Sequence, residues 1–353
     1  MSTIKITDRL AEELTSHLAS GSQDKIFILT DTNTHTQCLP LLQHIPALAH
    51  AKELVIHAGD TNKTLEQLSA VWQFLSDNGA TRHSLLINVG GGMITDLGGF
   101  AGATFKRGIR TINIPTTLMA SVDASIGGKT GVNFNGLKNE IGAFHFPDAI
   151  LIDCMFLKTL DRQNILSGYA EMLKHSLLDA KADGSFAAIL SFNPDAIEYS
   201  ELNQMVARSI AVKACIVEED PMEKGIRKAL NLGHTIGHAI ESLSFQSPNP
   251  LLHGHAVAIG LICELYLSHR LCGFPIEKLR SIAAYIKEYY APFPLACKHY
   301  DALYDLMRHD KKNESDAINF TLIANIGDIR INQIADRRLI ELSLDFYQDF
   351  FGL

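Results

Sequence analysis

The chain has 353 residues, 46% of them apolar, and a net charge of −8. That length suits two domains with sizeable cores, and the acidic balance argues against nucleic acid as a bulk partner. No apolar run reaches the roughly 18 residues of a membrane helix, and the start, MSTIKITDRLAEELTSHL, lacks the basic stretch and apolar segment of a secretory signal. A soluble, cytoplasmic protein without a membrane partner is expected. Cys38, Cys154, Cys215, Cys263, Cys272 and Cys297 form no C-x-x-C pair, so reduced, buried thiols are expected rather than disulfides or a zinc–thiolate site.

Short apolar runs recur through the first part of the chain: KIFILTD, ELVIHAG, SLLINVGGG, TINIP and AILIDC. Helix-period segments separate them, as at residues 64–78 (TLEQLSAVWQFLSDN). This alternation predicts an α/β domain with an open, mostly parallel, Rossmann-like sheet over residues 1–155. Beyond it, long helical patterns dominate, among them RQNILSGYAEMLKHSLLDAK, LNQMVARSIAVKACIVEED and HAVAIGLICELYLSHRLC. Only INFTLIANIGDIRI reads as a hairpin, so residues 156–353 are expected to form a mainly α-helical domain. A cleft between two such domains would be a natural ligand site.

SLLINVGGGMITDLGGF is an apolar strand, a triple glycine and a small-residue helix. Gly91 and Gly92 would let phosphate oxygens approach backbone amides at a helix start. The spacing is neither the G-x-G-x-x-G fingerprint nor a Walker loop, and a tight turn packing helix on sheet explains it equally. Asp96 is expected to open that helix, where an acid suits the dipole and could also bond a ribose hydroxyl. The next segment, KRGIRTINIPTTLMASVDASIGGKTGVNFNGLKNEIGAFHFP, sets Thr116, Thr117, Asp123, Lys129, Lys138 and Asn139 among glycines. So long a stretch of Gly, Thr, Lys and Asn in a compact domain is expected to be a functional loop, with side chains suited to phosphate, carboxylate and sugar hydroxyls.

In LNLGHTIGHAIE, His234 and His238 stand four apart and share a helical face. A catalytic metal site wants three protein ligands and an open position. Candidates for the third are Glu171 in YAEMLKHSLL and His253 or His255 in LLHGHAVAIG. Glu171 and His175 make another pair four apart, with Lys174 on the same face. Spacing leaves the ligand set open, and core histidines bonded to backbone carbonyls would explain the pattern as well.

Six motifs occur in order: GGGMITDLGGF, IPTTLMASVDASIGGKTGVN, GLKNEIGAF, GYAEMLKH, LNLGHTIGHAIE and HGHAVAIG. With them, from DTN at residue 31 to DKKN at 310, the chain resembles the 3-dehydroquinate synthases, a family of sugar-phosphate cyclases. The resemblance implies the dehydroquinate synthase-like fold, NAD+, a divalent metal (zinc or cobalt) and a sugar phosphate, 3-deoxy-D-arabino-heptulosonate 7-phosphate. Glu171, His234 and His253 match the metal ligands, which makes His238 a substrate-site histidine. Asp96, Asp123, Lys129, Lys138, Asn139, Lys174, Lys213, Arg227 and Asn231 match substrate and cofactor positions. Asp60 and Lys63 match the adenosine side of NAD, and Asp31, Thr116, Thr117, Thr159 and Gln163 fit its pocket. Arg107 matches a phosphate-binding arginine contributed by a neighbouring subunit, implying a homodimer. Lys311 or Lys312 in DKKN would hold the substrate carboxylate; the resemblance favours neither, and Lys312 is taken as the candidate.

The implied reaction oxidises the substrate transiently at C5, eliminates phosphate, returns the hydride and closes the carbocycle by an intramolecular aldol step. An acidic chain would then gather Lys129, Lys138, Lys174, Lys213, Arg107 and Arg227 as local cations for an anionic substrate. Replacing Lys129 or Arg227 by alanine is expected to remove activity with folding intact. Departures from the pattern are His255 where an acid is usual, Thr95 for glycine, and Asp60 for glutamate. A metal-dependent polyol dehydrogenase of the same architecture would leave GGKTGVNFNGLKN without a purpose, and a non-catalytic binder would not need the metal set. A sister cyclase with another sugar phosphate differs by only a few pocket residues.

Overall fold

The computed structural model describes residues 2–135, 137–181, 185–308 and 318–353, and the chain divides into two units, Met1–Asp161 and Arg162–Leu353. In the first, β1 (Thr3–Ile6), α1 (Leu10–Ala19), β2 (Ile26–Asp31), α2 (Thr32–Gln37), β3 (Lys52–Ile56), α3 (Leu65–Asp77), β4 (Leu85–Gly90), α4 (Gly92–Thr104), β5 (Arg110–Pro115), β6 (Lys129–Phe134), β7 (Leu137–Phe144) and β8 (Ala149–Ile152) follow one another. Six strands form one parallel sheet in the order β1-β8-β5-β4-β2-β3. Every residue of β4 is buried, because helices cover both faces, as parallel sheets require.

Alternation along the strands divides the core. Ile28, Leu85, Ile87, Val89 and Ile112 pack on one side against Leu10, Leu14 and Leu18 of α1. Phe27, Leu29 and Leu86 pack on the other against Leu68, Val71 and Leu75 of α3 and Ile94 and Leu97 of α4. Each such leucine, fully buried, contributes about 1.5–3 kcal/mol. The helical turn Cys154–Thr159 stays with this unit, since Phe156 packs into the first of these clusters.

All five expected runs form strands of this sheet; β1, short and largely exposed, completes it. Two expectations change. The polar glycine-rich segment is not an open loop: β6 and β7 form an antiparallel hairpin. Gly131 lies opposite Gly142, where an added Cβ would come 2.6 Å from the Ile141 carbonyl oxygen or 2.1 Å from that of Thr130. Glycine here permits close strand pairing. Asp96 does not open α4, which starts at Gly92 with no acid in its first turn. Gly91 and Gly92 turn the chain into the helix directly after β4, one turn earlier than expected.

The second unit contains α5 (Arg162–Leu178), α6 (Ser185–Ser191), α7 (Tyr199–Glu219), α8 (His234–Ser244), α9 (His253–Cys272), α10 (Ile276–Tyr289), α11 (Tyr300–Arg308), the hairpin β9 (Asn319–Asn325) and β10 (Asp328–Ile334), and α12 (Arg337–Phe351). α8 and α9 cross closely over glycines: a Cβ on Gly260 would lie 2.0 Å from the Gly233 oxygen and 2.7 Å from the Gly237 nitrogen. α9 touches α5 as tightly, at Gly254, where a Cβ would lie 1.8 Å from the Ser167 oxygen. Among the described residues no helix is long and apolar enough to cross a membrane. All six cysteines are free, but Cys215 and Cys297 are exposed rather than buried.

Candidate active site

In the first unit, β3 and β5 lie on opposite sides of the β2–β4 pair. The connections after β2 and β4 therefore diverge, which makes a crevice at the carboxyl ends of these strands, the usual ligand position of an open parallel sheet. Asp31 ends β2, Gly91 and Gly92 follow β4, and Thr116 and Thr117 follow β5. The α4 N-terminus has no side-chain cap, so its amides are not occupied by one. A Cβ on Gly91 would lie 3.0 Å from Thr117 Cγ2, and one on Gly92 3.1 Å from Ala124 Cβ. Small residues keep this turn open to a phosphate. Thr95 Oγ1 donates to the Gly92 carbonyl at 3.1 Å and tightens the turn.

Several expected cofactor residues already have local partners. Asp31 Oδ1 accepts from the amides of Asn33 and Thr34, both at 2.9 Å, and caps α2. The Thr117 hydroxyl accepts from Ala120 N, and that of Thr159 donates to the Phe156 carbonyl. Lys63 is buried, with its ammonium 3.1 Å from Asp96, 3.5 Å from Asp60 and in contact with Asn139 Oδ1. Burial opposes its charge, but Asp96 and Asp60 outweigh that and raise its pKa. Lys138 pairs with Asp60 at 2.9 Å. This cluster ties the β6–β7 hairpin to α4, so Lys138 is not an uncompensated cation. Lys129 and Arg107 are exposed and Asp123 is half-buried. Lys106 and Arg107 both have left-handed backbone (φ 50° and 69°).

In the second unit, Glu171 of α5 is wholly buried. His234 Nε2 lies 3.3 Å from its Oε1, and His253 Nε2 lies 3.6 Å from the same atom. Each ring's other nitrogen is held: His234 Nδ1 donates to the Leu232 carbonyl and His253 Nδ1 to Glu241, both at 3.1 Å. Lys174 Nζ contacts Glu171 Oε2. Although nitrogens crowd Glu171 at ion-pair distance, neither oxygen receives a well-aligned hydrogen bond. A carboxylate and two Nε2 lone pairs converging on one point fit a divalent cation of the zinc or cobalt type.

Burial would raise the Glu171 carboxyl, but Lys174 and His234 hold it well below the usual carboxylate range. Burial and Lys174 push His234 down to about 3. Glu241 and Glu171 outweigh burial at His253 and push it up to about 10. The site thus holds an anionic carboxylate, one neutral ring and one ring that attracts a proton.

His238 lies one turn beyond His234, with ring centroids 5.1 Å apart, and 5.5 Å from His253. The ligand atoms of these three histidines fall within 4.8 Å of one another, so geometry admits a three-imidazole set beside the set with Glu171. His255 is engaged elsewhere, whereas His175 offers a ligand atom within 4.8 Å of one on Glu171. His175 Nδ1 pairs with Ser209 Oγ at 2.7 Å. His255 Nε2 donates to the Gln163 carbonyl at 3.1 Å, with the ring edge-on to Tyr290, so it is not a third ligand.

Lys213 and Arg227 are buried. Arg227 sits in a short 3-10 helix, Ile226–Asn231, whose start is organised by Asp220: that carboxylate accepts from the amides of Lys224, Gly225 and Arg227 at 2.7–3.1 Å. Asn231 Nδ2 reaches Glu223 at 3.4 Å. Because Arg227 is among the largest fully buried side chains, its truncation would leave a void and lower stability. Lys311 and Lys312 lie outside the described residues.

The model of the 3-dehydroquinate synthase N-terminal region matches residues 53–167, and that of the C-terminal region matches residues 168–313. The chain is 60% identical over 350 residues to the 3-dehydroquinate synthase of Parabacteroides distasonis, covering 99% of each. The chain belongs to the 3-dehydroquinate synthase family. Its fold recurs in a 2-deoxy-scyllo-inosose synthase solved with carbaglucose-6-phosphate, NAD+ and Co2+ (TM-score 0.86, 22% identity, 97% and 96% coverage). It recurs also in 2-epi-5-epi-valiolone synthase of Streptomyces hygroscopicus, solved with NAD+ and Zn2+ (TM-score 0.85, 24% identity, 99% and 97% coverage).

Three acids carry structural weight, and of these only Glu241, which closes LNLGHTIGHAIE, stands in a sequence motif. Asp220 shapes the start of the short helix that carries Arg227, Glu241 meets His253, and Glu264 accepts from Gly233 N at 2.7 Å and Ile236 N at 2.9 Å. A weaker signal existed for Glu264: it is the one acid in the apolar run AVAIGLICELYL, and a buried carboxylate needs a partner.

Proposed function

We propose that this member of the family converts 3-deoxy-D-arabino-heptulosonate 7-phosphate to 3-dehydroquinate and phosphate, with NAD+ and a divalent cation. The carrying observation is Glu171, fully buried, with two imidazole Nε2 atoms at 3.3 and 3.6 Å. Residues 1–155 are assigned to NAD and residues 156–353 to metal and substrate. Six free cysteines support a reducing, cytoplasmic setting.

Glu171, His234 and His253 would hold the cation, and the turn at Gly91 and Gly92 the cofactor's phosphates. Bound there, the cation supplies Lewis acidity toward substrate hydroxyls and NAD+ a reversible hydride acceptor. The chain's own work is binding and proton handling. Lys174, beside Glu171, keeps that carboxylate ionised. Lys213 and Arg227 are assigned to the substrate's carboxylate and leaving phosphate, and their burial would leave that positive charge little screened by solvent. His238, less buried than His234 and one turn from it, is suited to move a proton at a substrate hydroxyl. Lys129 is an exposed anion contact. Arg107 is assigned to the substrate phosphate of a second copy, which makes the active form a homodimer; its exposed, left-handed backbone supports a role outside its own unit.

The test is purified protein with divalent metal, catalytic NAD+ and the heptulosonate phosphate. Phosphate and carbocycle should appear in equal amounts without net NADH; NADH accumulation with a simple alcohol would overturn the reading. Lys129→Ala should abolish most activity while changing stability by no more than about 0.5 kcal/mol.

A further inference from the structure

Glu241 takes no part in the chemistry proposed for the site, although it closes the motif that carries both imidazoles of α8. It is buried, and its Oε2 accepts from His253 Nδ1 at 3.1 Å. A carboxylate can only accept in such a bond, so Nδ1 carries a proton, and Nε2, the nitrogen that faces Glu171, is the one a cation would take. His234 obtains the same tautomer locally, from the Leu232 carbonyl two residues back. His253 has no such local partner. It opens α9, its side chain is 31% exposed, and its aim is set by an acid twelve residues earlier on another helix. Glu264 makes the return connection, capping the α8 start from α9. Each helix sends a carboxylate to the histidine-bearing end of the other. The two differ in kind: Glu264 fixes backbone, whereas Glu241 contacts the imidazole itself and increases its donor strength.

We infer that Glu241 is a positioning residue of the cation centre, setting the tautomer and aim of His253 Nε2 and strengthening it as a ligand. This rests on the assignment of Glu171, His234 and His253 as the ligand set. The test is Co2+ titration of metal-stripped wild type, Glu241→Ala and Glu241→Gln against a competing chelator, with the visible Co2+ bands and apoprotein melting followed in parallel. In Glu241→Ala the affinity should fall about 10- to 100-fold and the Co2+ bands should shift. Glutamine keeps an acceptor without the charge, so Glu241→Gln should recover part of that affinity. If the alanine variant does not fold, Glu241→Gln alone should still bind Co2+ about tenfold more weakly than wild type. Wild-type affinity and spectrum in the folded variants, even with lowered melting, would overturn the inference and leave the ligand assignment standing. Wild-type protein that binds no Co2+ would overturn both.

Discussion

Of the buried lysines, Lys63 and Lys174 have surroundings that differ. Lys63 is shared by Asp60, Asp96 and Asn139, and the two acids are themselves 43% and 18% exposed. Lys174 meets Glu171, which has no exposure at all, beside two imidazoles. The first is a fastening, in which water helps solvate the acceptors and the cation holds a hairpin to a helix. The second is a prepared electrostatic centre, where each charge depends on the others because no water can replace them. Burial of the lysine alone does not separate the two roles; burial of its partner does.

The sharpest way to break this contrast is to remove each partner. Glu171→Ala should remove the buried anion that Lys174 contacts, lower the apoprotein's stability by about 3–5 kcal/mol and abolish stoichiometric metal binding, read by thermal unfolding and metal analysis. Adding Lys174→Met should restore much of the stability and none of the metal. Retained zinc in Glu171→Ala would reject the ligand set. Gly254→Ala should follow: a Cβ 1.8 Å from the Ser167 oxygen forces α9 from α5, costs about 1–3 kcal/mol and displaces His253, so metal affinity should fall with stability. Lys63→Met should cost only about 1 kcal/mol, since its half-wet acceptors rehydrate, yet proteolysis within residues 129–144 should accelerate.

The smallest effect is one of pH. The folded pKa of Lys63 is raised above its ordinary 10.5, so its contribution is complete below that value and is lost as pH rises through the folded pKa. Hairpin protection from proteolysis should therefore fall at alkaline pH in wild type, and Lys63→Met should lack that dependence.

Much of the fold was legible because its periodicities are strong. The five apolar runs are strands of one sheet, buried on both faces except at the edge strand β3, and α1 and α3 repeat leucine and valine at helical spacing. The β6–β7 hairpin was not legible: its glycines and polar residues give no apolar alternation, and it exists because Gly131 and Gly142 let two backbones close. The site was legible in residue type, with Glu171, His234, His238 and His253 all nominated, but spacing paired His234 with His238 and kept His255 in contention. Neighbours in sequence share a face, whereas the two imidazole Nε2 atoms nearest Glu171 come from two other helices.

The sequence by itself determined the strongly periodic strands and helices, the turn at Gly91 and Gly92, the family and the chemical inventory, because these depend on local periodicity and residue chemistry. Only the tertiary structure decided which nitrogens converge on Glu171, that Arg227 is interior, that Lys63 and Lys138 are held in an ion cluster, and that Glu241 and Glu264 each reach across to the other's helix. Those outcomes depend on backbones approaching where glycine replaces a side chain, as at Gly254 and Gly260, and on burial turning a weak ion pair into an obligatory one.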